Sequence, residues 1–352
     1  MRTEEWAGRA LAAVLERVAV TRAEVGARFP LYADPGDGRW TTTGRGSWTG
    51  GFWAGLLWLR ARYTGAEADR RAAAARTARL APWADADTAT RGLILWYGTV
   101  LAGDDPDAAA LRERAARACL AAHDPELGLV PWGAALGGPR LLARVDAVPG
   151  MVPLLAGAGP EGAAVAAAHL HRHLDLCLDG RPARPAWRFA EDTGWQPCED
   201  PPAGWTRGRA WLLLALADAL LLPEVAAHRP GRLAEAEERL LSYGEFLAGR
   251  RVPPADSTRP DGPLDTSAAA ITAVALLKLA RVPGPRAARC SYRAVAVLER
   301  LTEAHLSGGG MLLDGCYDAG RGLATRHELV WGDFFLALGL AALTGLVDVT
   351  RV

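Results

Sequence analysis

The chain has 352 residues, half of them apolar and 23% charged, enough material to bury one large core or two ordinary ones and too apolar for a disordered protein. Forty Lys plus Arg balance forty Asp plus Glu, so no overall basic field is available to hold nucleic acid or an anionic membrane, and neither is expected as a partner. Lys278 is the only lysine and sits in the apolar helical pattern Ala275-Leu276-Leu277-Lys278-Leu279 with no Gly-rich loop before it, which sets aside Schiff-base and P-loop chemistry. The bias toward Arg, Ala, Gly and Pro reads as GC-rich coding. Five cysteines (Cys119, Cys177, Cys198, Cys290 and Cys316), odd in number and never in a C-x-x-C pair, suggest neither a zinc site nor a disulfide framework.

Residues 1–22 carry Glu4, Glu5 and Glu16 on an amphipathic stripe, so they read as a first helix and not as a signal peptide. Helical periodicity continues through 51–63, 66–80, 91–102, 107–122, 150–157, 161–177, 206–221, 232–249, 266–281, 286–304 and 329–345, with little strand signal between. Nearly all-apolar segments, such as 51–58, alternate with one-sided ones, such as 233–239. Two concentric layers produce that alternation, inner helices buried and outer helices half wet. The prediction is an all-α fold, an (α/α)6 barrel of six helix pairs, with an α-solenoid as the alternative. The longest apolar run, 210–222, is broken by Asp218 and too short to span a bilayer, and a cytoplasmic protein is expected. No linker divides the chain, so residues 1–352 read as one domain.

Six long polar stretches, 44–51, 82–91, 131–151, 179–208, 253–266 and 308–328, recur about once per helix pair. One end of a toroid would collect them into a single pocket. Thirteen Trp, against six Tyr and six Phe, cluster at loop-helix junctions, and a flat amphipathic indole at a pocket rim suits stacking on sugar rings.

Trp48-Thr49-Gly50-Gly51-Phe52-Trp53-Ala54-Gly55-Leu56-Leu57-Trp58-Leu59 resembles the unsaturated glucuronyl hydrolases of glycoside hydrolase family 88, related to family 105. Further matches follow in the family's order: Leu127 to Gly133, Arg144-Val145-Asp146, Gly204-Trp205-Thr206-Arg207-Gly208-Arg209-Ala210-Trp211, Asp265 to Ile271, Gly315-Cys316-Tyr317, and Leu329 to Phe335. The resemblance implies the six-hairpin toroid and hydration of the C4=C5 double bond of a Δ4,5-unsaturated uronic acid, with no metal or organic cofactor. It puts Asp146 at the family's general acid/base aspartate, Arg207 at its carboxylate-binding arginine, and Trp48 and Trp211 at its ring-contacting tryptophans. Trp132 is a third such tryptophan, and Gln196 lies within one position of a substrate-contacting glutamine.

The sequence also departs from the family's pattern. The second essential carboxylate is replaced by Thr90, a neutral hydrogen-bonding residue, in Ala89-Thr90-Arg91-Gly92-Leu93. Asp85 and Asp87 lie just upstream. A family histidine is absent from Arg184-Pro185-Ala186-Trp187-Arg188-Phe189, and the usual Gln after R-G is Arg209, which suits either a more anionic substrate or an acidic neighbour. Two alternatives therefore stand beside the hydrolase: a tailoring enzyme of specialised metabolism on the same fold, or a non-catalytic carbohydrate-binding protein. Asp85-Ala86-Asp87-Thr88 is a degraded match to the D-x-D-D acid motif of class II terpene cyclases. Asp104-Asp105-Pro106-Asp107 reads as a turn and helix start, and His169-Leu170-His171-Arg172-His173 as a solvated helix face rather than a metal site.

Overall fold

The alternation of buried and half-buried helices winds the chain into two concentric rings. A computed structural model describes residues 3–180, 183–246 and 251–352, with backbone alone for 243–246. The outer ring is α1 (Thr3–Val25), α3 (Glu67–Ala78), α5 (Pro106–Ala121), α7 (Pro160–His173), α10 (Pro230–Phe246) and α12 (Ala287–Ala304). The inner ring is α2 (Gly50–Thr64), α4 (Tyr97–Thr99), α6 (Met151–Ala156), α8 (Thr206–Leu221), α11 (Thr266–Leu279) and α13 (Val330–Leu343), and α9 (Pro223–Ala226) is a short extra turn. All twelve periodic segments are helical, although residues 247–249 of the segment 232–249 lie outside the described residues.

Burial follows from composition. Every residue of α11 is buried except Thr272, whereas α12 buries only Cys290, Ala294, Leu298 and Leu301, one stripe at helical spacing. Each inner helix touches the next, α2 to α4, α6, α8, α11, α13 and back to α2, with the π turn Gly92–Trp96 carrying the α4–α6 contact. The ring is therefore closed, and the open solenoid is excluded. Its closeness depends on glycine: a Cβ on Gly51 would meet the Leu93 and Ile94 carbonyl oxygens at 2.3 Å, and one on Gly92 would meet the Met151 nitrogen at 2.2 Å. That crowding accompanies the break in segment 91–102, which runs as a π turn, α4 and the 3-10 turn Val100–Ala102.

Among the described residues six short strands, not anticipated from periodicity, form two antiparallel sheets. One has the order β2 (Trp40–Thr43), β1 (Phe29–Ala33), β6 (Glu328–Leu329); the other β3 (Leu142–Arg144), β4 (Ala186–Ala190), β5 (Gly194–Pro197). Two to five residues are too few for a period-2 pattern to stand out from a loop. Every strand lies in a connection running from an outer helix into an inner one, so both sheets sit at the same end of the toroid.

Buried charges tie distant elements together. Glu328 accepts from Arg17 Nε at 3.0 Å and Nη2 at 2.6 Å, which joins α1 to the start of α13. Burial and the Glu328 anion beside it push the Asp333 carboxyl well up. Lys278 is buried against Asp218 and the Val352 carbonyl oxygen, while Asp218 Oδ2 has no partner among the described residues. Among the described residues no helix is long and apolar enough to cross a membrane.

Removing one member of the buried pair strands the other. Lys278→Met should cost about 3–5 kcal/mol in chemical denaturation, and the double variant with Asp218→Leu should recover most of that loss.

Candidate active site

All six long stretches singled out in the sequence are the connections into the inner helices, and all six contribute to one cavity of about 720 Å³ at the inner helices' N-terminal end. The start of α8 reaches the cavity through Trp205 and Arg207 and adds a partial positive charge. Trp48, Trp132, Trp205, Trp211 and Tyr317 supply aromatic wall; Arg144, Arg207, Arg259 and Arg321 supply cations; Asp146, Asp200, Asp256 and Asp318 supply carboxylates.

Asp146 is half-buried in the 3-10 turn Val145–Ala147, and its two carboxylate oxygens accept from Arg144 Nε at 2.8 and 3.1 Å. The contact follows from local geometry, because alternate residues leaving β3 point to one side. The Arg144 guanidinium lies over two indoles, 5.3 Å from the Trp132 ring centre and 5.8 Å from that of Trp205. Behind the turn, buried His169 accepts from the Val130 N–H on Nδ1 at 3.1 Å, which leaves Nε2–H to donate to the Ala147 carbonyl at 3.2 Å. One imidazole thus braces both the Asp146 turn and the segment that leads to Trp132.

Thr90 lines the cavity beside Asp146, but its hydroxyl shares a 2.9 Å hydrogen bond with that of Thr88. Neither upstream carboxylate replaces the missing one. Asp85 faces outward to Arg114, and Asp87 accepts from Arg140 Nε and Ala134 N–H at 3.0 and 3.1 Å; neither lines the cavity. The D-x-D-D resemblance loses its acids in the same way.

Arg207 is present but occupied. Its Nη1 bonds Asp265 and the Cys316 carbonyl, the latter at 2.6 Å, and Nη2 donates to the Tyr317 carbonyl at 2.8 Å. Asp265 also caps α11, accepting from the Ser267 and Ala268 N–H groups at 3.1 and 3.4 Å. The pair joins α8, α11 and the 316–317 segment beneath the cavity. Trp48 stacks near Tyr317 and donates to its hydroxyl at 3.4 Å, and Trp211 is buried against Phe52.

Two residues expected at the site stand elsewhere. Gln196 lies exposed on β5 with Nε2 donating to the Thr193 carbonyl at 3.0 Å. Arg209 lines a separate 330 Å³ cavity with Arg184 and Glu238, because two residues along a helix from Arg207 is more than half a turn. Neither lines the Asp146 cavity. Arg144, Trp205, Tyr317 and Asp256, to which sequence reasoning assigned no role, do line it. Three lie inside the quoted motifs, and the i, i+2 spacing of Arg144 and Asp146 was the available signal.

The histidine trio corrects a second expectation. His169, His171 and His173 are buried, not solvated, because the outer helix carrying them is covered on one side by the inner ring and on another by the 228–229 turn; His171 Nε2 bonds the His228 carbonyl at 2.9 Å. Asp105 does cap α5, accepting from Ala108 N–H at 3.0 Å. Among the described residues no group of three or more His, Cys, Asp or Glu is disposed to hold a metal ion.

No family model matches the chain. It is 26% identical over 346 residues to the unsaturated glucuronyl hydrolase of Bacillus sp. (strain GL1), covering 88% of this chain and 89% of that protein. Among solved structures, a UGL variant with dGlcA-Glc-Rha-Glc superposes with a TM-score of 0.82 at 25% identity, covering 95% of this chain and 96% of that one. The Streptococcus agalactiae unsaturated glucuronyl hydrolase has the same fold at a TM-score of 0.82 and 18% identity, covering 99% and 94%. Toroid, cavity and relatives together place the chain in the α/α-toroid fold of these solved hydrolases. More particularly, the chain is a relative of the unsaturated glucuronyl hydrolases.

Burial, with little to offset it, drives the imidazole of His169 well down and that of His173 down to about 4. Both bind a proton more readily in the unfolded chain, where a histidine titrates near about 6.5. Their stabilisation is complete above that value and is lost as pH falls toward 4. Between pH 7 and 4 the parent should lose about 3 kcal/mol more stability than His173→Leu, read by denaturant unfolding at each pH.

Proposed function

We propose that the chain hydrates the C4=C5 double bond of a Δ4,5-unsaturated uronic acid at the end of an oligosaccharide, with Asp146 passing the proton. The observation that carries the reading is a half-buried carboxylate inside an aromatic-walled cavity where the six connections into the inner helices meet. The relative's name and the dGlcA-containing sugar in the superposed structure support the same substrate class.

In this mechanism protonated Asp146 donates to C4, and positive charge develops at C5 and the ring oxygen. Water adds at C5 and returns its proton to Asp146. The hemiketal then opens and releases the neighbouring sugar, so the carboxyl group ends as it began. The indoles of Trp48 and Trp132 offer flat faces to the ring, and Thr90 offers a neutral hydroxyl where the family carries a second acid.

Thr90 is also the observation that favours a second reading, a carbohydrate-binding protein without turnover. Following the decay of the conjugated-alkene absorbance of a Δ4,5-unsaturated disaccharide separates the two. Decay is expected, and Asp146→Asn should slow it by about 10²-fold or more. Thr90→Asp should raise the rate on the order of tenfold by restoring a carboxylate beside Asp146. Binding without any decay, in the parent and in Thr90→Asp alike, would leave the binding protein.

A further inference from the structure

The reading above needs a cation for the substrate's carboxylate, and the structure distinguishes among the four arginines that line the cavity. Arg207 is neutralised by Asp265, and its bonds to the two backbone carbonyls fix it further. Arg259 is exposed at the rim, and Arg321 is exposed beside Asp318. Arg144 differs from all three. Only its Nε is engaged, by Asp146, and neither Nη1 nor Nη2 makes a hydrogen bond to any described residue. Its guanidinium lies over the rings of Trp132 and Trp205, which limits where the free edge can point.

We infer that Arg144 is the substrate-carboxylate receptor, its free Nη1–Nη2 edge taking the uronate while its Nε holds Asp146. The inference rests on the proposed function for the identity of the sugar. A guanidinium presents donors along two edges, so one side chain can hold two carboxylates in its own plane, one on each edge. Gripping the uronate on one edge and Asp146 on the other sets the distance between the sugar's carboxylate and the acid. C4 is bonded directly to C5, the carbon that bears that carboxylate, so the same grip brings C4 toward Asp146. The two indoles near Arg144 give the contact apolar surroundings, in which it is stronger than in open water. Although burial opposes its charge, the nearby Asp146 anion holds the Arg144 guanidinium above its ordinary range, so the cation is retained.

The test is equilibrium binding by tryptophan fluorescence in the Asp146→Asn background, where turnover is slow on the time of the measurement and no anion at position 146 repels the ligand. The probes are a Δ4,5-unsaturated uronic acid disaccharide and its methyl ester. With Arg144 intact the acid should bind tenfold or more tighter than the ester. Arg144→Gln should remove that preference by weakening the acid alone, leaving ester affinity within about twofold. Arg144→Lys, which keeps a point charge but not the fork, should retain part of it. Thermal unfolding of each variant checks that the fold survives, and unchanged ester binding shows that the cavity does. Acid and ester bound equally with Arg144 intact would overturn the assignment, as would a preference that survives Arg144→Gln. Because the assay needs no turnover, failure of the hydration reaction in the parent and failure of the Arg144 assignment are separate results.

Discussion

Backbone-to-backbone packing of the inner ring is the constraint from which the rest of the structure follows. Where Gly51 and Gly92 sit, the neighbouring helix is so near that even a methyl group would strike its backbone. Inner helices closed into one ring, all running the same way, bring their N-terminal ends to one side. The chain returns to each of those ends from a wider outer ring, so the connections into the inner helices are long and meet over one mouth. The cavity is thus a consequence of ring closure, and its aromatic and charged lining comes from loops that the ring obliges to converge.

A neutral chain with forty charges of each sign must decide where the few buried ones go. Here they join segments far apart in sequence: Arg17 with Glu328, Lys278 with Asp218, and Arg207 with Asp265. In a low-dielectric interior an unpaired charge is costly, and these three cations each carry an anion, whereas buried Arg91 rests on the Thr88 and Ala84 carbonyls. Arg144 differs from both arrangements. It is paired through one edge only, and the rest of its guanidinium faces a cavity large enough for a sugar.

The comparison of Arg207 with Arg144 shows how a motif can be legible while its chemistry is not. W-T-R-G reads clearly along the chain, yet the acid that occupies Arg207 is Asp265, fifty-eight residues away. The partner of Arg144, by contrast, is two residues on, within reach of a period-2 argument, although the short strand that sets that period gave no pattern of its own. Gln196 and Arg209 illustrate the opposite error. Proximity to a motif suggested a role, and helix phase or strand position then turned each side chain away from the Asp146 cavity. His169 adds a third kind of case: a polar residue on an outer helix that looked solvated proves to brace the Asp146 turn, because burial depends on what packs over a helix and not only on its own stripe.

The sequence by itself determined the two-layer all-helical architecture, the six long connections and the position of Asp146, because each depends on local periodicity or on a contiguous motif. Only the tertiary structure decided that the ring closes, that Arg207 is already neutralised, that Asp85 and Asp87 point away from the cavity, and that Arg144 is left with donors to offer. Those outcomes depend on which side chains from distant segments meet in the folded chain. A charge is used or free only relative to its neighbours, and the linear order does not contain them.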